Sequence, residues 1–216
     1  MTPILLAFDM DDTLCLTGKY INDQLYKVAR HSGDTELLEF LDKNSGHLST
    51  MLYPPEVKVK VDTLIIGPGV YMLEAEKTPL FCSNFISILK RLKAMYGEML
   101  KIVVCSHRGF HEYGEIYTRK WLVKHDALEV FDEIHMLDGK VDPDKIQFLK
   151  KKYPGSPIKL IDDNPLHDFS KEHERQEEIL IYDAVHSFPG YKHQDILNSI
   201  SCAVTWINKV AETQEV

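Results

Sequence analysis

The chain has 216 residues, 44% hydrophobic and 27% charged, which is the composition of an ordinary globular protein able to bury a full core. Its formal net charge of -8 argues against two kinds of partner, nonspecifically bound nucleic acid and an anionic membrane surface. We expect a cytoplasmic protein with reduced thiols, because the sequence lacks a secretory signal, a membrane-length apolar segment and a CxxC pair among its four cysteines.

The first predicted element is a strand over residues 4–8, an apolar run typical of a buried parallel strand. Directly after it come Asp9, Asp11 and Asp12. Three carboxylates within four positions repel one another unless a cation or hydrogen-bond donors neutralise them. The pattern therefore indicates a hard metal ion and chemistry on an electron-poor centre such as phosphorus.

The next part of the chain shows mixed periodicity. Residues 20–41 predict a helix that is interrupted near Gly33. The alternation of valine and lysine over residues 57–61 favours a strand, and two short apolar runs flank a turn at residues 67–69. Because this part does not follow the rhythm of the later chain, we predict that residues 16–80 form a cap or insertion.

From residue 81 onward, predicted strands and helices alternate. This rhythm predicts an α/β fold, a doubly wound and mostly parallel sheet whose core comprises residues 1–15 and 81–216. The predicted strands cover residues 101–105, 133–137, 158–161 and 179–182, and the predicted helices cover residues 84–96, 113–125, 142–152 and 194–210.

Polar residues follow three of the predicted strands. Asp9 and Asp11 follow the first, Ser106 and Arg108 follow the strand over 101–105, and the pair 162–163 follows the strand over 158–161. The carboxyl ends of neighbouring parallel strands meet in one crevice, where α/β proteins bind ligands. There one carboxylate can attack phosphorus and a second can transfer the proton. A hydroxyl, a lysine and Mg²⁺ would hold the phosphoryl oxygens.

These motifs and their order resemble the haloacid dehalogenase superfamily of phosphohydrolases, whose core has a Rossmann-like fold. The resemblance covers the core and leaves the insertion unassigned. The matching residues are Asp9, Asp11 and Thr13 for the DxDxT motif, Ser106 for the second motif, Lys140 or Lys145 for the lysine motif, and Asp162 with Asp163 for the paired acids.

The resemblance implies a role for each acid. Asp9 would be the nucleophile and a Mg²⁺ ligand, and Asp11 the general acid and base whose backbone carbonyl also binds the metal. Asp163 would be the direct Mg²⁺ ligand from the last motif, with Asp162 as a supporting acid. Asp12 is expected to cap or hydrogen-bond the turn that follows it.

A second set of residues is expected to bind the phosphoryl group. Thr13 and Ser106 would do so through hydroxyls, although Ser106 has the alternative of capping the next helix. Lys140 is preferred to Lys145 because it precedes the predicted helix. Arg108 is suited to bidentate phosphate binding.

The substrate class stays open at this point. A cap between the first two motifs suggests a small, enclosed phosphorylated substrate, and cytosolic deoxyribonucleotidases carry a helical insertion there, so a nucleoside monophosphate is favoured. Alternatively, Ser106, Arg108 and the segment 117–121 are similar to the phosphatase half of phage polynucleotide kinase-phosphatases, which implies a nucleic-acid 3'-phosphate. A sugar-phosphate or protein phosphatase, and a binding protein that has lost turnover, are further alternatives. The oligomeric state is not readable from the sequence.

Overall fold

A parallel sheet lies at the centre of the computed structural model, which describes residues 2–44, 53–81, 84–163, 178–182 and 196–214. Five strands lie within these ranges, in the order β3-β2-β1-β4-β5. The strands are β1 (Ile4–Phe8), β2 (Leu100–Ser106), β3 (Glu133–Met136), β4 (Ile158–Asp162) and β5 (Ile179–Ile181).

The first strand is the centre of this sheet. It pairs with β2 from Ile4 opposite Leu100 and with β4 from Leu5 opposite Ile158, and all its residues are buried. The strand order reverses at β1, so a crevice opens at the carboxyl ends of β1 and its two neighbours. The predicted strand over residues 4–8 is confirmed, and its acids lie at this crevice.

Helices cover both faces of the sheet. Even-numbered residues of β1 pack into an apolar cluster with α5 (Phe85–Tyr96) and α8 (Ile196–Gln214), and odd-numbered ones into a second cluster with α7 (Lys145–Lys152). Side chains alternate across a strand, so β1 contributes to both layers. The fold is α/β, as predicted. The helices after β2 or directly before it are α5 (Phe85–Tyr96), α6 (Gly114–Lys124), α7 (Lys145–Lys152) and α8 (Ile196–Gln214).

The segment between β1 and α5 is helical. It contains α1 (Thr17–Ser32), α2 (Thr35–Asn44), α3 (Pro55–Val61), a π-helical turn (Asp62–Ile66) and α4 (Tyr71–Glu74). The break between α1 and α2 occurs at Gly33, as expected.

The strand predicted over residues 57–61 is wrong, and the two apolar runs that flank residues 67–69 are helical. Val57, Val61 and Ile65 lie four residues apart and share one apolar cluster with Ile21 of α1. That spacing defines one face of a helix. Burial against α1 therefore overrides the β-propensity of Val57 and Val61, while Lys58 is exposed and Lys60 forms an ion pair with Asp34.

The end of this segment is hydrogen-bonded to the core. Trp121 of α6 donates from Nε1 to the carbonyl of Ala75 at 2.7 Å, and Thr78 donates from its hydroxyl to the carbonyl of Thr13 at 2.6 Å. These bonds hold α4 close to the carboxyl ends of β1 and β2.

The remaining expectations concern thiols and membranes. Cys15 and Cys105 are buried and Cys202 is exposed, all as free thiols, whereas Cys82 lies outside the described residues. None of the helices described here combines the length and the apolar character needed to cross a bilayer.

Candidate active site

The carboxyl ends of β1 and β4 bring three acids together. Oxygens from Asp9, Asp162 and Asp163 all lie within 4.8 Å of one another. Asp9 and Asp162 are buried and Asp163 is half-buried. A divalent cation that prefers oxygen ligands fits this donor set.

A buried lysine lies among these acids. Nζ of Lys145 is 2.7 Å from Oδ2 of Asp162 and 2.8 Å from Oδ1 of Asp9. Lys145 is the first residue of α7, which Asp144 caps by accepting a hydrogen bond from the backbone of Gln147. Side chains in a first turn point back past the helix N-terminus, here into the crevice.

The prediction that Lys140 rather than Lys145 reaches the crevice is therefore wrong. Lys140 is exposed in the turn before α7, where its backbone donates to Oδ1 of Asp138. The helix begins at Lys145, three residues after the predicted start at residue 142, so Lys145 lies in the first turn and not in the helix interior. The structure places Lys145, not Lys140, beside the acids.

The charges in the cluster are only partly balanced by this lysine. Burial raises the pKa of Asp9 above its usual range; Lys145 opposes the shift, and the negative charge of Asp162 adds to it. Burial, and then the charges of Asp162 and Asp9, raise the pKa of Asp163 well above its usual range. Excess negative charge of this kind is what a bound cation would offset.

Asp162 and Thr13 make hydrogen bonds that position the residues around the acid cluster. Oδ2 of Asp162 accepts a hydrogen bond from Lys145, which fits the expected supporting part. The backbone N–H of Asp163 donates to the Thr13 hydroxyl at 3.0 Å, so the first and last motifs are joined directly. Asp9 and Asp163 are left as the side chains best placed to bind a metal.

Asp11 forms an ion pair with Arg108 and is not a member of the acid cluster of Asp9, Asp162 and Asp163. Nε of Arg108 donates to Oδ2 of Asp11 at 2.9 Å, and Nη2 donates to Oδ1 at 2.7 Å. The Thr17 hydroxyl donates to Oδ1 at 2.5 Å. Burial opposes ionisation of Asp11, but the charge and hydrogen bonds of Arg108, with that of Thr17, hold its pKa below the usual range.

The structure does not place Arg108 as predicted, as a ligand of phosphate. Its side chain is completely buried, and its guanidinium is directed at Asp11. The spacing of residues 106–108 after β2 indicated the crevice correctly, but it contained no signal for the carboxylate partner.

Two buried polar atoms next to the acids lack hydrogen bonds. Within the described part of the chain, neither Oγ of Ser106 nor Oδ1 of Asp9 has a hydrogen-bond partner. The Lys145 ammonium approaches Oδ1 of Asp9 as an ion pair, but outside hydrogen-bond geometry. An unsatisfied buried polar group is costly, so these atoms point to a ligand that would satisfy them. Ser106 ends β2 and does not cap α6, which begins at Gly114.

Asp12 and His107 make hydrogen bonds to the backbone around the site. Asp12 has a φ of 54° and accepts a hydrogen bond from the backbone of Gly18 in α1, as expected of a turn residue. Nε2 of His107 lies 2.9 Å from the carbonyl of Asp142 and so holds the loop that leads into α7.

Thr17 and Tyr71 are contacts that the sequence did not indicate. Thr17 is bonded to Asp11, and the ring of Tyr71 in α4 lies 5.8 Å from the guanidinium carbon of Arg108. Both belong to the helical segment after β1. Neither follows a strand or matches a motif, so no sequence signal distinguished them.

No family model matches the sequence, and no curated protein matches it. Among solved structures, the chain is similar to a haloacid dehalogenase-like hydrolase from Xanthomonas campestris, with 11% identity, 98% of this chain and 99% of the other covered, and a TM-score of 0.49. A predicted phosphatase from Clostridium acetobutylicum has 18% identity, 76% and 77% coverage and a TM-score of 0.46. L-2-haloacid dehalogenase from Xanthobacter autotrophicus has 12% identity, 74% and 70% coverage and a TM-score of 0.43.

Proposed function

We propose that this protein is a Mg²⁺-dependent phosphomonoester hydrolase of the haloacid dehalogenase type. One observation carries the proposal: the buried Oγ of Ser106, which has no hydrogen-bond partner among the described residues, lies at the edge of the sheet where the carboxylates of Asp9, Asp162 and Asp163 cluster. A phosphoryl group has the oxygens to accept from Ser106 and the electrophilic atom for Asp9. The crowded acids account for a cation.

The first chemical step is attack by Asp9 on phosphorus. A bond forms between the Asp9 carboxylate and phosphorus as the bond from phosphorus to the leaving oxygen breaks. The leaving oxygen takes a proton from Asp11, which must therefore enter this step in its protonated form. Ser106 and Lys145 donate to the phosphoryl oxygens. A Mg²⁺ ion held by Asp9 and Asp163 would offset their negative charge.

The second step breaks down the aspartyl-phosphate. Water attacks phosphorus, Asp11 takes the proton of that water, and the Asp9 carboxylate leaves with its electron pair. The ion pair with Arg108 favours the carboxylate form of Asp11, so it assists this step and works against the protonated form that the first step requires. Phosphate is released and both acids return to their starting states.

For the substrate we favour a phosphate that carries a nucleobase, namely a nucleoside monophosphate. The loop between β2 and α6 exposes two rings, Phe110 by 50% and Tyr113 by 42%. The same loop contains Arg108, which contacts Asp11, and His111, whose Nε2 lies 2.9 Å from the carbonyl of Gly67 in the helical segment. Exposed aromatic faces at such a place stack on bases.

The nucleic-acid 3'-phosphate remains the second candidate, because the same rings would stack on a terminal base. In the segment that suggested it, Thr118 and Trp121 face the interior, whereas Arg119 and Lys120 are exposed. Trp121 is buried against Ala75, and the Thr118 hydroxyl accepts from Arg108 at 3.0 Å. A resemblance based on these two positions thus reflects packing, and we rank this substrate below the mononucleotide.

The proposal is tested by phosphate release from p-nitrophenyl phosphate with Mg²⁺ and with EDTA. We expect hydrolysis only with Mg²⁺. We expect Asp9→Asn to lose roughly 10³-fold or more of kcat, because the amide cannot attack phosphorus. Asp23→Asn on the exposed face of α1 is the matched control and should retain activity. If wild-type protein with Mg²⁺ releases no phosphate from any of a broad panel of monophosphates, the proposal is wrong.

The same assay separates the substrate classes. The panel contrasts 5'-mononucleotides, 3'-phosphorylated oligonucleotides, sugar phosphates and a phosphopeptide. The highest kcat/KM is expected for a 5'-mononucleotide. Preference for the oligonucleotide would replace the proposed substrate while leaving the chemistry of Asp9 intact.

A further inference from the structure

We infer that Arg108 is a positioning residue that fixes the orientation of Asp11, and that it ties this orientation to the docked helical segment. The inference rests on the proposed function, since it assigns to Arg108 an effect on the proton-transfer residue. It replaces the expectation that Arg108 binds the substrate phosphate.

All three nitrogens of the Arg108 guanidinium already have acceptors inside the protein. Nε and Nη2 reach both oxygens of Asp11, and Nη2 also lies 3.1 Å from the Cys15 sulfur. Nη1 donates to the Thr118 hydroxyl at 3.0 Å and faces the carbonyl of Met72 at 3.4 Å. Because these groups surround a side chain with no solvent exposure, a phosphate in the crevice would have to displace Asp11 to be bound.

The paired geometry defines which way Asp11 faces. A guanidinium that binds both oxygens of a carboxylate fixes the plane of that carboxylate. Thr17 adds a third hydrogen bond at Oδ1, whereas Oδ2 accepts from Arg108 Nε alone among the described residues. The Asp11 side chain is 29% exposed, and Oδ2 accepts from one described donor where Oδ1 accepts from two, so we assign to Oδ2 the exchange of a proton with the leaving group or water.

Both ends of the helical segment meet at this pair. Thr17, which bonds Asp11, is the first residue of α1. Tyr71 and Met72, which contact Arg108, belong to α4 at the other end. Displacement of either end would remove a contact from the pair. We therefore expect proton transfer by Asp11 to depend on the contacts that both ends of this segment make with the pair.

The test is a double-mutant cycle between Arg108→Lys and Asp11→Asn, with p-nitrophenyl phosphate as substrate and inorganic phosphate as inhibitor. Lysine keeps the charge and loses the paired geometry. We expect Arg108→Lys to lower kcat about 100-fold, since small misplacements of a reacting group cost rates of that order. KM and the inhibition constant of phosphate should change less than about threefold, because Arg108 does not bind phosphate.

The cycle itself supplies the second criterion. In the Asp11→Asn background, Arg108→Lys should change kcat less than about threefold, since its effect passes through Asp11. Arg119→Lys on the exposed face of α6 is the matched control and should match wild type. If Arg108→Lys weakens phosphate inhibition in step with kcat, or multiplies the Asp11→Asn loss, the inference is overturned.

A milder variant covers the case in which Arg108→Lys does not fold, as judged by its circular dichroism spectrum. Thr17→Val removes the other donor to Asp11 and leaves Arg108 in place. We expect a reduced kcat at unchanged KM, and no further loss in the Asp11→Asn background. An unchanged kcat or an additive loss contradicts the inference. Inactive wild-type protein would instead contradict the proposed function, so the two failures are distinguishable.

Discussion

Some side chains of this site are positioned by the strand that they follow, and others by contacts with residues distant in the sequence. Asp9, Asp11 and Ser106 could be identified from the sequence because each follows an apolar strand, and strand ends determine their place. Lys145 and Arg108 could not be assigned in the same way. The position of Lys145 depends on where α7 begins, and the partner of Arg108 lies 97 residues away. A single sequence carries no information about such a pairing.

At this scale, the two candidate lysines make a matched pair of variants. Lys145→Met leaves two buried carboxylates without their counter-charge. We expect the free energy of unfolding without Mg²⁺ to fall by about 3–5 kcal/mol, as when one partner of a buried ion pair is removed. Lys140→Met at an exposed position should change it by less than about 0.5 kcal/mol.

Urea denaturation followed by circular dichroism measures both lysine variants. Phosphate release measured on the same proteins should fall sharply for Lys145→Met alone. Equal stability and activity for the two variants would contradict the assignment of Lys145 to the crevice.

At the scale of elements, strands were easier to predict than the helical segment. The position of β1 agrees because its continuous apolar run fits a fully buried parallel strand, whereas β3 is half-buried and includes Glu133 and His135. Residues 57–61 satisfied the period of a strand and the period of a helix at once. Packing of Val57 and Val61 on α1 favours the helix, and this packing cannot be predicted without knowing where α1 lies.

The loop between β2 and α6 gives the prediction that belongs to this scale. Phe110→Ala removes an exposed ring that we assign to base stacking. We expect KM for a 5'-mononucleotide to rise roughly 5- to 100-fold, the range that loss of one base–aromatic stack produces. KM for a sugar phosphate, which has no base, should stay unchanged.

Met95→Ala, at a position 65% exposed on α5, is the control for the loss of surface hydrophobic area. Steady-state kinetics with both substrates provide the comparison. An equal rise of KM for both substrates would show that Phe110 supports the phosphate site and does not recognise the base.

The whole molecule combines a sheet that supplies the chemistry with a helical segment that has its own apolar cluster. The division at residues 15 and 80 stays a prediction, as does the use of the segment as a cap. The segment is nevertheless bonded to the core next to Asp11 and Arg108. Stability and activity of the whole chain are thereby expected to depend on the same contacts.

Binding of Mg²⁺ is the prediction for the whole molecule. Without the ion, Asp163→Asn relieves repulsion among crowded acids, so the variant should unfold at a higher temperature than wild type. With Mg²⁺ at about 100 times its dissociation constant, wild type should gain about 2.7 kcal/mol, and the variant, which lacks one ligand, less than half of that.

Thermal unfolding with and without Mg²⁺ tests this reversal, with Asp23→Asn as the control that should follow wild type. A Mg²⁺-induced gain of the same size in Asp163→Asn would exclude Asp163 as a metal ligand. A lower unfolding temperature of the metal-free variant would contradict the assigned repulsion.

The sequence by itself determined the α/β class, the strands and the acids at their ends, because each depends on residues adjacent in the chain. The tertiary structure decided which lysine reaches Asp9, which carboxylate Arg108 holds and why residues 57–61 are helical. These depend on packing between distant segments, where the free energy of burial and of paired charges outweighs local preference.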